Sequence, residues 1–462
     1  MINKVLAACL LLFGCYFFFT FLSSCAQISA PTGGSRDTIA PVLIKAEPAN
    51  FTTNFTGNKI VLTFDEYINV ENIQENVLVS PLQKTNPIIN YNFKNVTIKF
   101  RDTLLPNTTY AINFGNALKD LNENNPFPNF TYTFSTGNRI DSLKFSGKVL
   151  LAETGIADST LLAMLYVDLS DSAVLKKRPN YISKLNREGN FTFYNLPAGI
   201  FKLYALKDGD GGKTYNSKSE TFAFLDTSIT VAETNTDVTL YAYEEIRKPA
   251  TGTTNRPVLQ KRLSFITGLV AQKQDVMQPL QLTFNNPIKI FNNSKISLTD
   301  TNFIAKPATF TFDSTRRKLT VNTNWQQDFN YALIIQKEAL QDSADNFLPR
   351  NDTLYFTTKK AEDYGAVELR FTNLSLSQKP LLQFVVNDVV QFSYPLKGNN
   401  LSVKMIQPGE YTIRILYDLN GNGIWDAGNY EKKLQPEKAI TLPQKLSVRA
   451  NWDNELDINL TP

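Results

Sequence analysis

The stretch Lys59-Ile-Val-Leu-Thr-Phe64-Asp-Glu66 places an apolar residue at every second position, at Ile60, Leu62 and Phe64. Successive side chains of a β-strand point to opposite faces, so this period of two predicts a strand with one buried face. The period returns three times before residue 135, at 96–100, 110–114 and 130–134. Short strands at such spacing, separated by turn residues, predict an antiparallel β-sandwich.

The same residues resemble a known family. Lys59 to Glu66, Leu105-Pro-Asn-Thr-Thr-Tyr110, Leu118-Lys-Asp120-Leu-Asn-Glu-Asn and Phe130-Thr-Tyr-Thr-Phe134-Ser-Thr136 are similar to the bacterial Ig-like domain named after the surface-layer protein SbsA. The resemblance implies an Ig-like sandwich over residues 42–138, and its motifs contain no catalytic residue. Glu123 and Asn124 stand where that family usually has a loop glycine.

This pattern recurs later in the chain. Leu280-Gln-Leu-Thr-Phe284, Tyr331, Asp342 and Tyr355-Phe-Thr-Thr358 repeat it at offsets between 220 and 222 residues. Because the offset barely changes, we interpret the two segments as copies of one domain. The second Ig-like domain is predicted over residues 263–360.

Two further segments also resemble each other. Phe191-Thr-Phe-Tyr-Asn-Leu-Pro197-Ala-Gly199 precedes an Asp-rich loop at Asp208, and Val403-Lys-Met-Ile-Gln-Pro408-Gly409 precedes another at Asp418. Both resemble the prealbumin or carboxypeptidase-regulatory type of β-sandwich, which implies such domains over residues 139–245 and 361–462. The predicted fold is therefore all-β, a tandem A-B-A′-B′ duplication with residues 246–262, rich in Pro, Gly and Thr, as the linker between halves.

The first 25 residues have the pattern of a targeting signal. Lys4 precedes an apolar run from Val5 to Leu22, and Leu22-Ser-Ser-Cys25 resembles a bacterial lipobox. This predicts a signal peptide over residues 1–24, a lipidated Cys25 and a tether over residues 25–41. The alternative is a transmembrane helix, because eighteen apolar residues can just span a bilayer.

The resemblance also bears on location. An Asp directly after the lipidated cysteine would resemble an inner-membrane retention signal. This chain has Ala26 at that position, so an outer-membrane anchor is predicted. No acidic cluster follows Cys25 to resemble a Bacteroidetes surface-export signal, which favours the periplasmic face, with the cell surface as the alternative.

Composition excludes several kinds of chemistry. The chain has no histidine, so Ser-His-Asp and Cys-His nucleophiles and imidazole metal sites are absent. After cleavage before Cys25 no second cysteine remains for a disulfide. A net charge of +4, with positive and negative residues interspersed, does not indicate a nucleic-acid ligand. The adjacent acids Asp65 and Glu66 point to opposite faces of a strand, whereas glycosidase carboxylates share one cleft. We therefore predict a non-enzymatic protein.

One loop has the spacing of a calcium site. Asp418, Asn420, Asn422 and Asp426 stand at positions one, three, five and nine, with Gly423 at position six. Asn429 occupies position twelve, where a bidentate acid normally closes such a loop. The alternative is an Asx- and Gly-rich hairpin loop without metal. Calcium is the one cofactor considered; no other is predicted.

An Asp-Ser/Thr triplet ending in an apolar residue or Thr occurs more often than composition predicts, and it resembles the O-glycosylation sequon of Bacteroidetes envelope proteins. The alternative is turn chemistry, since Asp followed by Ser or Thr favours turns. The candidate acceptors are Thr38, Thr103, Ser142, Ser159, Ser172, Ser314, Ser343 and Thr353.

Tandem sandwiches behind a lipid anchor predict a structural or protein-interaction scaffold with an envelope protein as partner, attached to a membrane through its lipid. The alternative function is glycan binding through the loop aromatics Trp325, Trp425 and Trp452. The sequence leaves the oligomeric state open.

Overall fold

The computed structural model describes residues 37–233, 237–246 and 261–460. The predicted signal peptide, Cys25 and most of the predicted tether and linker lie outside the described residues. The chain divides into two compact units, Met1–Ile140 and Asp141–Pro462. The first unit contains one hydrophobic core, and the second contains three main ones.

The core of the first unit is enclosed by the strands here called the first sandwich. One sheet has the order β1-β2-β6-β5, a second has β4-β7-β9, and β3 pairs with β8. The elements are β1 (Leu43–Glu47), β2 (Lys59–Phe64), β3 (Ile68–Val70), α1 (Ile73–Asn76), β4 (Leu78–Ser80), β5 (Ile88–Asn92), β6 (Asn95–Lys99), β7 (Thr109–Asn113), β8 (Leu118–Asp120) and β9 (Thr131–Ser135). Ile60, Leu62 and Phe64 are fully buried, as their period of two predicts.

The second sandwich begins the second unit. Its sheets have the orders β13-β10-β17 and β12-β11-β14-β15, with β16 also paired to β14. The elements are β10 (Leu143–Leu151), β11 (Leu162–Tyr166), α2 (Ala173–Lys176), β12 (Tyr181–Lys184), β13 (Asn190–Leu196), β14 (Gly199–Leu206), β15 (Phe222–Phe224), β16 (Ile229–Val231) and β17 (Thr239–Ala242). Strand β17 runs parallel to β10.

The third sandwich repeats the pairing of the first. Its sheets are β18-β20-β24-β23, β19-β27-β25-β22 and β21-β26. The strands are β18 (Phe265–Thr267), β19 (Lys273–Gln274), β20 (Leu280–Phe284), β21 (Ile288–Phe291), β22 (Ile296–Asp300), β23 (Thr309–Phe312), β24 (Lys318–Asn322), β25 (Asn330–Ile335), β26 (Leu340–Asp342) and β27 (Asp352–Thr358). Short 3₁₀ turns lie at Asn293–Lys295 and Lys337–Ala339.

The fourth sandwich repeats the pairing of the second. Its sheets are β31-β28-β34 and β30-β29-β32-β33, and β34 is again parallel to its neighbour β28. The strands are β28 (Gly365–Thr372), β29 (Pro380–Val386), β30 (Val389–Pro395), β31 (Asn400–Ile406), β32 (Gly409–Tyr417), β33 (Ala439–Val448) and β34 (Asp453–Asn459), with 3₁₀ turns at Ala361–Asp363 and Leu376–Gln378.

These four sandwiches confirm the prediction of an all-β fold built from tandem β-sandwiches. The two α-helices in the described residues, α1 and α2, have four residues each. The shared strand orders show that the repetition read in the sequence is also a repetition of topology, first to third and second to fourth.

Candidate functional site

The predicted calcium loop connects β32 to β33 and is closed by hydrogen bonds of its own. The carboxylate of Asp418, 4% exposed, accepts the backbone N–H groups of Gly421, Asn422 and Gly423 at 2.6, 3.1 and 2.7 Å. Gly423 has a φ of +82°, in the left-handed region that glycine adopts readily. Asp418 therefore shapes the loop from its first position.

The remaining predicted ligands converge on one oxygen. The side-chain amides of Asn420 and Asn422 both donate to Oδ2 of Asp426, at 2.5 and 2.7 Å. Positions three, five and nine of the loop are thus in contact through hydrogen bonds. In this arrangement the amide nitrogens, not oxygens, face Asp426, so calcium binding would require both amides to turn.

Glu437 supplies an acid that the spacing rule did not identify. Its carboxylate accepts the backbone N–H of Leu419 at 2.8 Å and that of Asp426 at 3.2 Å. Burial, followed by repulsion from Asp418, raises the pKa of this carboxyl above its usual range. Glu437 closes the loop from the segment just before β33, nineteen residues after Asp418, which is why a twelve-residue motif misses it.

The corresponding loop of the second sandwich has a cation of its own. Nζ of Lys213 lies 3.3 Å from the carboxylate of Asp208, whose other oxygen accepts the Lys213 backbone N–H. Asp210 accepts the side-chain amide of Asn216 at 2.7 Å. Across the described ranges, no three His, Cys, Asp or Glu side chains gather in a way that could hold a metal ion. Calcium at Asp418 stays a prediction.

The chain beyond this loop forms a joint between the fourth and second sandwiches. Tyr430, 5% exposed, extends into the second sandwich, where its hydroxyl donates to the backbone oxygen of Asp171 at 2.7 Å and lies 3.1 Å from the hydroxyl of Tyr204. The ring meets Phe222 and Phe224 edge to face, each at 5.1 Å between centroids. Burial raises the pKa of Tyr430 well above its usual range, so the phenol is neutral.

A buried carboxylate on the second sandwich fixes the joint from the other side. Glu245, whose side chain is 4% exposed, accepts the Tyr430 backbone N–H and the Tyr215 hydroxyl, each at 3.0 Å. It also accepts the Asn429 side-chain amide at 3.3 Å, and Lys218 lies 3.5 Å away. A buried charge is stable only when it is paired and hydrogen-bonded, and Glu245 meets both conditions.

Backbone contacts complete the joint. The N–H of Ala439 donates to the oxygen of Ala152 at 2.7 Å, and the Thr441 hydroxyl donates to the oxygen of Thr154 at 2.5 Å. Gly155 has a φ of +68°, and a Cβ there would collide with the carbonyl oxygen of Ala439. The second and fourth sandwiches are therefore fitted to each other over side chain and backbone alike.

The other predicted residues are spread over the molecule. Seven of the eight candidate glycosylation acceptors are exposed and lie outside the strands; Thr353 is half-buried within β27. Several of their preceding aspartates also bond the following turn, as Asp158 does with Thr160, so both interpretations of the triplet stay open.

The three tryptophans lie apart in the sequence and in different settings. Trp325 is 9% exposed within the third core and donates from Nε1 to the Gln278 oxygen. Trp425 is half-buried against Leu381, Leu416 and Ala439, and Trp452 is 61% exposed. Trp325 is a core residue, so the fold does not present all three tryptophan side chains in loops.

Residues 37–136 match the model of the bacterial Ig-like domain. The match spans the first sandwich, so the Ig-like resemblance predicted there is confirmed. The third sandwich repeats the strand order of this Ig-like domain without being part of the match. No curated protein matches the chain in sequence.

Solved structures show distant likenesses. The major pilin subunit BcpA of Bacillus cereus is 8% identical, with 69% of this chain and 99% of that chain covered and a TM-score of 0.18. The Bacillus anthracis TIE protein is 12% identical over 93% of this chain and 76% of that one, with a TM-score of 0.16. The S-layer protein SbsC is 11% identical over 90% and 54%, also with a TM-score of 0.16. Scores this low carry no argument about function.

None of the helices in the described part of the chain is long and apolar enough to cross a membrane. Cys25 and the apolar run before it lie outside the described residues, so lipidation stays a prediction.

Proposed function

We propose that this protein is a non-enzymatic lipoprotein of the cell envelope, anchored through Cys25, whose β-sandwiches act as a scaffold for a partner protein. The joint around Tyr430 and Glu245 carries the proposal. It joins residues that are 185 positions apart in the chain by a direct hydrogen bond and buries a charged group to do so. Such a joint fixes the separation of two domains, which a scaffold needs.

The absence of histidine supports the non-enzymatic part of the proposal. Catalysis in this chain would depend on carboxylates, and Asp65 and Glu66 differ in their surroundings: Asp65 accepts the Val42 N–H at 2.7 Å, while burial and neighbouring carboxylates raise the pKa of Glu66. The two acids follow the end of β2 as neighbours in the chain, and neighbouring residues of a strand point to opposite faces. We assign them no catalytic role.

The anchor is tested by growing the native host with an alkyne-tagged fatty acid and detecting the tag on the protein. We expect wild-type protein to carry the tag and Cys25→Ala protein to lack it and accumulate as the uncleaved precursor. A tag that persists in Cys25→Ala protein would overturn the assignment of the anchor.

The scaffold is tested by affinity capture from host membranes after mild cross-linking, with lipidated protein as bait and protease treatment of whole cells in parallel. We expect one stoichiometric envelope protein and resistance of the bait to protease, which places it on the periplasmic face. Capture of no stoichiometric partner, together with protease sensitivity and glycan-array binding lost in Trp425→Ala, would favour the glycan-binding alternative.

A further inference from the structure

The hairpin β5–β6 of the first sandwich and the hairpin β23–β24 of the third enter their second strands in the same way, with different side chains. Two residues, 93–94, connect the strands of the first hairpin, and five, 313–317, connect those of the second. Phe93 and Arg316 occupy equivalent positions, each with a φ of 53°. The backbone oxygen of Phe93 accepts the N–H of Ile68 at 2.9 Å, and that of Arg316 accepts the N–H of Ile288 at 2.8 Å. Counted back from β6 and β24, Phe93 and Arg316 are therefore equivalent, each three residues before a paired strand residue, Val96 or Leu319.

In the third sandwich this turn carries a bound guanidinium. Arg316 lies over the ring of Phe312, 5.3 Å from its centroid. Its guanidinium donates to the backbone oxygen of Ile288 and, at 3.5 Å, to that of Lys289. The surface therefore accommodates an arginine head group, stacked on an aromatic ring and bonded to carbonyl oxygens.

In the first sandwich the aromatic ring is present and the arginine is not. Tyr91 pairs with Val96 as Phe312 pairs with Leu319, and it is 45% exposed. Phe93 is 68% exposed, and its ring lies 5.8 Å from that of Tyr67, itself 46% exposed. Because Arg316 has the same φ, the positive φ belongs to the hairpin in both repeats, and the difference between the repeats is that the first exposes aromatic rings where the third has a guanidinium.

Charge differs between the repeats in the same place. Asp65 and Glu66 replace Asn285 and Asn286. Asn286 donates to the carboxylate of Asp342 at 2.7 Å, but Glu66 can only oppose Asp120, the counterpart of Asp342. Across the described residues no side chain hydrogen-bonds or forms an ion pair with the Glu66 carboxylate.

Lys94 lies near these acids but forms no ion pair with the carboxylate of Asp65 or Glu66. Nζ of Lys94 donates to the backbone oxygen of Asp65 at 2.5 Å, where it lies on a carbonyl and not on a carboxylate. The first sandwich thus presents exposed aromatic rings next to the carboxylates of Asp65 and Glu66, which form no ion pair with any residue that the structure describes. This combination suits a cation that stacks, and it repels an anionic lipid surface.

We propose that this end of the first sandwich, formed by Asp65, Glu66, Tyr67, Tyr91 and Phe93, binds an arginine-bearing segment of a partner protein. The partner's guanidinium takes the position that Arg316 fills from within the third sandwich. Tyr91 provides the stacking face, and Glu66 provides the carboxylate for a charge-assisted hydrogen bond. The proposal rests on the scaffold function and names the surface that serves it.

The test uses fluorescence anisotropy of the full chain with two labelled peptides, one alternating Arg and Gly and one alternating Lys and Gly. We expect the arginine peptide to bind more tightly than the lysine peptide. Glu66→Gln should weaken binding about five-fold, and Phe93→Arg, which supplies the guanidinium from within, about ten-fold or more. Phe303→Ser is the matched control, because Phe303 is 61% exposed at a φ of 63° in the third sandwich.

Equal binding of both peptides, or binding unchanged in Glu66→Gln and Phe93→Arg, would overturn the proposal. Binding of the chain to phosphatidylglycerol vesicles in place of the arginine peptide would overturn it as well. Hydrogen exchange of residues 37–136 shows whether Phe93→Arg folds; if it does not, Glu66→Gln and Tyr91→Ala decide. If wild type and Phe93→Arg capture the same partner equally well, the scaffold function stands and the assignment of this surface is wrong. If wild type captures no partner, the scaffold function itself is contradicted.

Discussion

At the scale of single residues, Glu66 is a group the fold does not accommodate well. Burial first, and then repulsion by Asp120, Asp65, Asp37 and Glu123, raises its pKa. The pKa of Asp120 shifts in the opposite direction. Burial alone would raise it, but hydrogen bonds from the backbone N–H groups of residues 122–125 stabilise the carboxylate and lower the pKa. In the third sandwich the counterparts of Glu66 and Asp120 do not repel each other, because Asn286 donates a hydrogen bond to Asp342.

We therefore expect Glu66→Asn to stabilise the first sandwich by about 1 kcal/mol at pH 7, the contribution of one added hydrogen bond. A raised folded pKa means that the contribution of Glu66 to stability is present below its unfolded pKa of 4.5 and lost as the pH rises through the folded pKa. The gain from Glu66→Asn should therefore shrink as the pH falls toward that value, while the contribution of Asp120 stays in both proteins.

Hydrogen exchange of peptides from residues 37–136 measures this, because the chain has no tryptophan in the first sandwich. The reverse change in the third sandwich, Asn286→Glu, is the control and should destabilise residues 263–358. A Glu66→Asn variant that is less stable than wild type at pH 7 would show that the fold accommodates the Glu66 carboxylate.

Residue-scale exposure also bears on glycosylation. Because Thr353 is half-buried within β27 and the other seven acceptors are exposed, we expect modification of some or all of the seven and none at Thr353. Intact-mass and peptide mass spectrometry of protein from the native host measures this. An unmodified chain would assign the Asp-Ser/Thr triplets to turn formation.

At the scale of elements, the loop from Asp418 to Glu437 has two roles that can be separated. Asp418 holds the loop by three backbone hydrogen bonds that need no metal. Asp426 instead receives two side-chain amides, so its charge matters most if a cation replaces them.

We expect calcium to raise the melting temperature of the chain, with weak affinity because the ligand set is incomplete. Asp426→Asn should remove the calcium response and change the stability without calcium little, whereas Asp418→Asn should lower both. Isothermal titration with calcium, and with magnesium as the control, measures it. Wild type that shows no heat and no shift in melting temperature with calcium would identify the segment as a hairpin loop only.

The sequence predicts elements better than it predicts the joint. Periods of two at Ile60, Val96 and Tyr110 identified strands, because alternation is local and one face of each strand is buried. Spacing selects Asp418, Asn420, Asn422 and Asp426; the side chains of Asn420 and Asn422 contact Asp426, whereas Asp418 accepts backbone N–H groups, and metal binding stays a prediction. Tyr430 could not be identified, because its partner Tyr204 lies 226 residues away and no local period marks such a contact. The contrast between Phe93 and Arg316 required the shared register of two hairpins.

The element that makes the joint is the segment leading into β33. We expect Tyr430→Ala to destabilise the contact between the second and fourth sandwiches by about 3 kcal/mol, since it removes a buried ring. Tyr430→Phe, which keeps the ring and loses two hydroxyl contacts, should cost about 1 kcal/mol. Hydrogen exchange at residues 152–155 and 429–441 reports the opening. Equal exchange in both variants and wild type would mean that the ring does not hold the joint.

At the scale of the whole molecule, the proposed scaffold requires the second and fourth sandwiches to be one rigid pair, although the third sandwich lies between them in the sequence. Lys433 adds to this pairing by lying 3.9 Å from the centroid of the Tyr430 ring and 3.1 Å from Asp171. A scaffold with this pair fixed presents its other surfaces at set positions, whereas four freely linked domains would not.

The most direct test is electron paramagnetic resonance of spin labels at Tyr194 and Val389, exposed positions on the second and fourth sandwiches, in residues 26–462. The removal of Cys25 leaves no native cysteine in that chain, so the two labels are the only ones. We expect a single narrow distance distribution in wild type and a broad one in Tyr430→Ala. A broad distribution in wild type would contradict the rigid pair and with it the proposed scaffold.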